Sequence, residues 1–216
     1  SMGGGPWVQA GYTTFVVVHG TQPRFYVEEI VGDILRAVRF IRANAARYGV
    51  DPQKLGVTGG SAGGHLSLMV ATRGGPGDPQ AKDPVERESS AVQAVACYYP
   101  PTDFLNWAKE DDNAVGVGGL GWIAGAFGPE AATPEGRRRL GRAISPIYGV
   151  RANQPPVFIV AGDTDTVVPV GQAERFFRRA QEVGAKVALR IRQGVGHERW
   201  VEAGEDDERM IEWFGQ

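Results

Sequence analysis

The feature that most restricts the fold of this chain is a regular exchange between two hydrophobic periods. Residues 13–18 (TTFVVV), 92–98 (VQAVACY) and 157–161 (VFIVA) are short, apolar and rich in β-branched side chains, as strands buried on both faces are. Between them lie stretches of helical period. From about residue 27 to 48, Ile30, Ile34, Val38, Ile41 and Ala45 recur every three or four positions, and Gly49 stands where that helix should end. Residues 54–58 and 186–192 read as two further strands. Residues 62–72, 170–183 (closed by Gly184) and 205–214 read as helices. The resulting order is β-α-β-α-β-insert-β-α-β-α. It predicts an α/β fold: a mostly parallel sheet of about five strands, with flanking helices making right-handed crossovers. The 216 residues suit one domain, 1–216. Residues 100–147 carry no strand signal and read as a cap-like insert within it.

Charge and composition exclude several classes of partner. The formal net charge is −2, which gives no reason to expect nucleic acid or an anionic membrane surface. Arg137, Arg138, Arg139 and Arg142 read as the wet face of a helix, and Asp111-Asp112 and residues 205–208 as solvated acidic runs, the second at a helix N-terminus. Cys97 is the only cysteine, so no internal disulfide is possible. No apolar run approaches the ~18–20 residues of a membrane span, and no signal peptide is apparent, so the expectation is a cytoplasmic protein. No metal ligand set and no cofactor motif emerge: the three histidines are scattered, and no Gly-rich phosphate or dinucleotide signature follows a strand.

The chemistry concentrates at Gly59-Gly60-Ser61-Ala62-Gly63. This is a G-x-S-x-G run between an expected strand and an expected helix, the context of a nucleophile elbow. A serine on so sharp a turn needs small neighbours, and every residue from Gly59 to Gly64 other than Ser61 is Gly or Ala. The helix that follows favours negative charge at its start, and the Ala62 N–H is placed to donate to an oxyanion. The alternative is a Gly-rich turn without chemistry, or a phosphate loop. A serine nucleophile needs a base, and the base an orienting acid. Asp165 lies beyond the strand 157–161, and His197 beyond the last strand, both where open α/β sheets carry their sites. The order Ser61, Asp165, His197 is the one this elbow requires. Asp163 competes with Asp165, but its place at the strand end suits loop N–H groups better. His65, four residues past Ser61, reads as a packing residue.

These residues resemble the α/β-hydrolase superfamily, and within it the microbial carboxylesterases related to the hormone-sensitive-lipase and feruloyl-esterase-like groups. The segments 36–42 and 57–66 carry the likeness, with Tyr99-Pro100-Pro101-Thr102-Asp103, Ile144-Ser145-Pro146-Ile147, Asp165-x-x-Val168-Pro169 and Gly194-x-Gly196-His197. The resemblance implies Ser61, Asp165 and His197 as the triad and hydrolysis of small carboxylic esters through an acyl-enzyme. Members of this group usually carry further strands ahead of residue 13, one ending in an H-G-G-G loop that gives a second oxyanion N–H. That loop has no counterpart here, and loss of one such donor costs ~10²–10³-fold in rate. Three outcomes are open. The strand 13–18 takes the place beside the nucleophile strand and Gly20 or Thr21 completes the hole; Gly3-Gly4-Gly5 does so; or the hole is defective. The same gap would leave apolar surface and a strand edge bare, which predicts a homo-oligomer.

In the insert, Trp107, Trp122 and Phe127 are the candidate substrate-binding residues, with Phe104, Leu105 and Ile123 beside them. The competing reading is that they only pack the insert. The leading reading is a serine carboxylesterase for small or short-chain esters. The alternatives are a catalytically impaired binding domain, and a peptidase or acyltransferase on the same triad.

Overall fold

Parallel pairing needs crossovers, and each crossover here is a helix or the insert. The computed structural model describes residues 5–197 and 203–215. In chain order these form α1 (Gly5–Gln9), α2 (Val27–Ala43), α3 (Ala45–Tyr48), β1 (Gly56–Gly60), α4 (Ala62–Arg73), β2 (Ala94–Tyr98), α5 (Pro134–Ile144), β3 (Val157–Gly162), α6 (Gly171–Glu182), β4 (Val187–Arg192) and α7 (Ala203–Phe214). The strands pair in chain order, β1-β2-β3-β4, all parallel. The register sets Gly60 opposite Tyr98, so β1 and β2 end together just ahead of Ser61.

Successive side chains of β2 and β3 point to opposite faces, and two cores follow. Val95, Cys97, Val157, Ile159 and Ala161 pack with Val38 of α2, Leu68 of α4 and Phe176 of α6. Ala96, Phe158 and Val160 pack on the other face with Met210, Trp213 and Phe214 of α7 and with Trp7 of α1. Gly49 adopts the left-handed conformation (φ 65°) that closes α3. Buried Arg42 fastens α2 to the strand entrances, donating to the carbonyls of Pro52 (3.0 Å), Ala91 (2.7 Å) and Ser89. No helix among the described residues is long and apolar enough to cross a membrane.

Two expectations are corrected. Among the described residues the sheet has four strands, not five, because residues 13–18 do not form one. They make no backbone–backbone hydrogen bond among the described residues, and Val16 and Val18 are 67% and 92% exposed. A β-branched run needs a partner edge and a covered face. The edge on offer is β1, in which Gly56, Gly59 and Gly60 give three of five residues no side chain to pack. Phe15 turns instead to the Tyr48 ring, with centroids 5.1 Å apart. The acidic run at α7 is also not simply solvated. Asp206 is fully buried and paired with the Nε atoms of Arg190 (3.2 Å) and Arg192 (3.6 Å), and Asp207 accepts from the Tyr98 hydroxyl at 2.8 Å. An aspartate is buried only when paired, and the alternate arginines of β4 supply the pairing.

Residues 100–147, between β2 and β3, build a cluster of their own from Phe104, Trp107, Leu120, Phe127, Leu140 and Ile144. His65 of α4 reaches into it, its ring edge-on to Phe104 at 5.2 Å, and its Nε2–H donates to the Ile144 carbonyl at 2.6 Å. Burial pushes this imidazole down to about 4, the carbonyl bond opposing only part of the shift. The unfolded chain therefore binds a proton near pH 6.5 that the folded chain refuses until about pH 4. The stability that follows is complete above pH ~6.5 and is lost as pH falls toward 4, by about 3 kcal/mol. Urea unfolding between pH 7 and 4.5 should show this loss, and His65→Gln should flatten the pH dependence. Equal slopes for the two proteins would contradict it.

Candidate active site

β1 ends at Gly60 and α4 begins at Ala62, which leaves Ser61 alone to turn the chain. It does so at φ 54°, ψ −119°, outside the regions L-residues favour, a conformation that costs ~1–3 kcal/mol and persists only if its surroundings enforce it. They do so on both sides. The Ser61 N–H donates to the Tyr98 carbonyl at 3.0 Å, and the Ser61 carbonyl accepts from the His65 N–H at 2.9 Å. A Cβ on Gly59 would lie 2.6 Å from the Gly63 carbonyl, and one on Gly64 would lie 2.8 Å from the Tyr98 carbonyl oxygen. Glycine is thus required at both positions by backbone approach. The exposed Ala62 N–H, in the first turn of α4, has no acceptor four residues back within the helix.

The three residues named from sequence order meet. Ser61 Oγ lies 2.9 Å from His197 Nε2, and His197 Nδ1 lies 2.8 Å from Asp165 Oδ2. The chain from β3 and the chain from β4 deliver the acid and the imidazole to the same end of the sheet. The Asp165 side chain is 1% exposed and that of His197 21%. The buried carboxylate is satisfied: its Oδ1 accepts from the Val167 and Val168 N–H groups, both at 2.8 Å. An acceptor-only carboxylate on Nδ1 makes that nitrogen the donor and turns Nε2 toward Ser61 as the acceptor. Asp163 takes the role its strand-end position suggests, accepting from the Gly194 N–H at 2.6 Å in the loop that leads to His197. Cys97 is no rival nucleophile, since burial holds its thiol far above the usual range.

The remaining expected residues are less tightly gathered. Gly20 and Thr21 lie in the turn ahead of α2, Gly20 against the Phe25 ring and the Thr21 carbonyl accepting from the Phe25 N–H at 3.1 Å. The strand that was to carry them beside β1 is absent, so that route to a second oxyanion donor fails. Gly3 and Gly4 lie outside the described residues. Trp107 and Trp122 line one groove of about 360 Å³ with Asp112, Thr166, Val167 and Pro169, next to the acid loop. Trp122 is 74% exposed there. Phe127 is not at that surface: it is buried in the insert core, 5.9 Å from the Phe104 ring, because its 3-10 turn packs inward. No cluster of three or more metal-ligating side chains occurs among the described residues.

Two contributors escaped the sequence reading. Gln172, wholly buried at the start of α6, hangs the insert on the helix that follows the acid loop. Its Oε1 accepts from the N–H groups of Thr102 (2.8 Å) and Asp103 (2.7 Å), and its Nε2 donates to the carbonyls of Asp103 (3.0 Å) and Trp107 (2.7 Å). A glutamine in a first turn carries no signal of such a role. Tyr99 has a positive φ (35°), and its ring centroid lies 4.6 Å from that of His197. The signal available for it was a Tyr-Pro-Pro sequence directly after the strand that borders the elbow.

A parallel sheet with a strained serine between strand and helix, and an acid and a histidine from the next strand ends, defines the α/β-hydrolase fold class. Residues 4–179 match the BD-FAE family, and the chain belongs to it. Among curated relatives, Esterase LipQ of Mycobacterium tuberculosis is 29% identical over 178 residues, 82% of this chain and 40% of its own length. The chain thus spans about 40% of that relative. Two solved structures share the fold. A truncated form of a carbohydrate esterase from gut microbiota has a TM-score of 0.83 at 26% identity, covering 99% of this chain and 78% of its own. An acetyl ester-xyloside bifunctional hydrolase from Caldicellulosiruptor lactoaceticus has a TM-score of 0.76 at 25% identity, covering 96% of this chain and 70% of its own.

Proposed function

We propose that this chain is a serine carboxylesterase acting on small, short-chain carboxylic esters through an acyl-enzyme. The observation that carries the reading is the continuous line Ser61 Oγ, His197 Nε2, His197 Nδ1, Asp165 Oδ2, closed by two hydrogen bonds of 2.9 and 2.8 Å. Ser61 Oγ attacks the ester carbonyl while His197 Nε2 takes its proton. Asp165 stabilises the imidazolium, and His197 returns the proton to the leaving alcohol. Water, activated by His197 in turn, releases the acid and restores Ser61. The Ala62 N–H, in the first turn of α4, meets the oxyanion. Trp107 and Trp122 flank the larger part of the substrate in the groove beside Thr166 and Val167. The names of the relatives support ester hydrolysis, and that of the acetyl ester-xyloside hydrolase supports a small acyl group.

The test uses p-nitrophenyl acetate and butyrate. Ser61→Ala should fall to the background rate. Asp165→Asn, which leaves the wrong nitrogen of His197 protonated, should lose on the order of 10⁴-fold in kcat. Asp163→Asn should keep most of the activity. Equal rates for Ser61→Ala and the unaltered protein would remove Ser61 from the mechanism.

We further propose that two copies associate through residues 13–18 and the β1 edge. Among the described residues, one molecule holds both an extended β-branched segment without ladder partners and a strand edge without a neighbour, and it does not pair them with each other. A second copy would cover both the unpaired run and the bare edge. Light scattering at micromolar concentration should give an oligomer; a monomer would overturn the proposal.

A further inference from the structure

Two residues at adjacent strand ends have positive φ, Ser61 at 54° and Tyr99 at 35°. For a bulky residue this conformation is an outlier that its surroundings must enforce. Three neighbours enforce it at Tyr99. Its N–H donates to the Val160 carbonyl at 2.7 Å, which locks it to β3. The Tyr98 carbonyl just before it holds the Ser61 N–H, and Pro100 just after it packs where a Cβ on Gly64 would come within 3.2 Å. The segment 98–100 is therefore wedged between the elbow and β3, and its backbone has one way to turn. The product of that turn is the placement of one side chain. The Tyr99 ring lies against the imidazole of His197, 4.6 Å between centroids at 56°. Its hydroxyl lies 3.3 Å from where a Cβ on Gly60 would stand. The absence of a side chain at Gly60 is what leaves room for it.

An imidazole held only by two in-line hydrogen bonds can still rock about the axis between them. Asp165 accepts from His197 Nδ1 and His197 Nε2 accepts from the Ser61 hydroxyl, but neither bond restrains the face of the ring. Tyr99 presents an aromatic surface to that face. We propose that Tyr99 is a positioning residue, whose ring holds the His197 imidazole in the orientation that joins Ser61 to Asp165. The inference rests on the reading of these three residues as a catalytic triad. The ring carries the role, so phenylalanine preserves it. Glycine accepts the backbone turn without strain and removes the ring, so it separates positioning from folding.

Tyr99→Gly and Tyr99→Phe are compared with the unaltered protein by ester kinetics and by proton NMR of the His197 Nδ1–H to Asp165 bond, assigned with His197→Gln. Tyr99→Gly should keep a native far-UV spectrum yet lose at least tenfold in kcat, with KM changed less than threefold and the Nδ1–H signal broadened or lost. Tyr99→Phe should restore at least a third of kcat and the sharp signal. A folded Tyr99→Gly with kcat within threefold and an unchanged Nδ1–H signal would overturn the proposal, as would a Tyr99→Phe as impaired as Tyr99→Gly. The NMR arm does not depend on turnover. A protein that hydrolyses no ester but loses the signal in Tyr99→Gly and keeps it in Tyr99→Phe would refute the esterase reading and retain the positioning role.

Discussion

The turn at Ser61 is the constraint from which the rest of the site follows. A serine at φ 54° is unfavourable by itself, and it is held there by the β1–β2 register, which brings the Tyr98 carbonyl to its N–H, and by the first turn of α4, which takes its carbonyl. Closing that turn requires Gly63 to approach Gly59 and Gly64 to approach Tyr98, which only glycine at positions 59 and 64 allows. Once the turn is closed, Ser61 Oγ stands at the end of the sheet where the loops after β3 and β4 also end. Asp165 and His197 need only short excursions to reach it.

The same end of the sheet is stiffened by polar groups buried with their partners. Gln172 and Arg175 of α6 both donate to the Trp107 carbonyl, so the start of the insert moves with the helix that follows the acid loop. Trp107 lines the groove together with Trp122, Thr166, Val167 and Pro169. Below, Asp206 and Asp207 at the start of α7 bind β4 through Arg190 and Arg192 and β2 through the Tyr98 hydroxyl. The strand that leads to His197 and the strand that presents Tyr98 to Ser61 are therefore tied by one helix. Buried charges of this kind add little to stability on balance, but removing one partner leaves the other unpaired, so they fix relative position firmly.

Much of this was legible in the sequence, for physical reasons that differ by element. The strands β2 and β3 are central, and a buried strand writes itself as an unbroken apolar run. The helix α2 writes itself as a 3.6-residue period, and Gly49 marks its end. The three site residues were legible because each must stand at the end of a strand or at its turn. Residues 13–18 carry a strand signal without forming one because strand propensity reports side chains and not the presence of an edge, and the edge beside them is mostly glycine. The burial of Asp206 is hidden in the sequence because a charge run looks solvated until the arginines two apart on β4 are brought opposite it. Residue type alone suggests Phe127 for the pocket, and nothing local shows which way its turn packs. Gln172 and Tyr99 act through partners about 70 and 100 residues away in the chain, Thr102 and His197, which no local pattern encodes.

The central claim is that Ser61 is a nucleophile activated by His197 and Asp165. A fluorophosphonate reacts with an activated serine and leaves ordinary serines untouched. Mass spectrometry of peptides from the labelled protein should find one adduct, on Ser61. The absence of any adduct, or an adduct on another serine with Ser61 unmodified, would contradict the account.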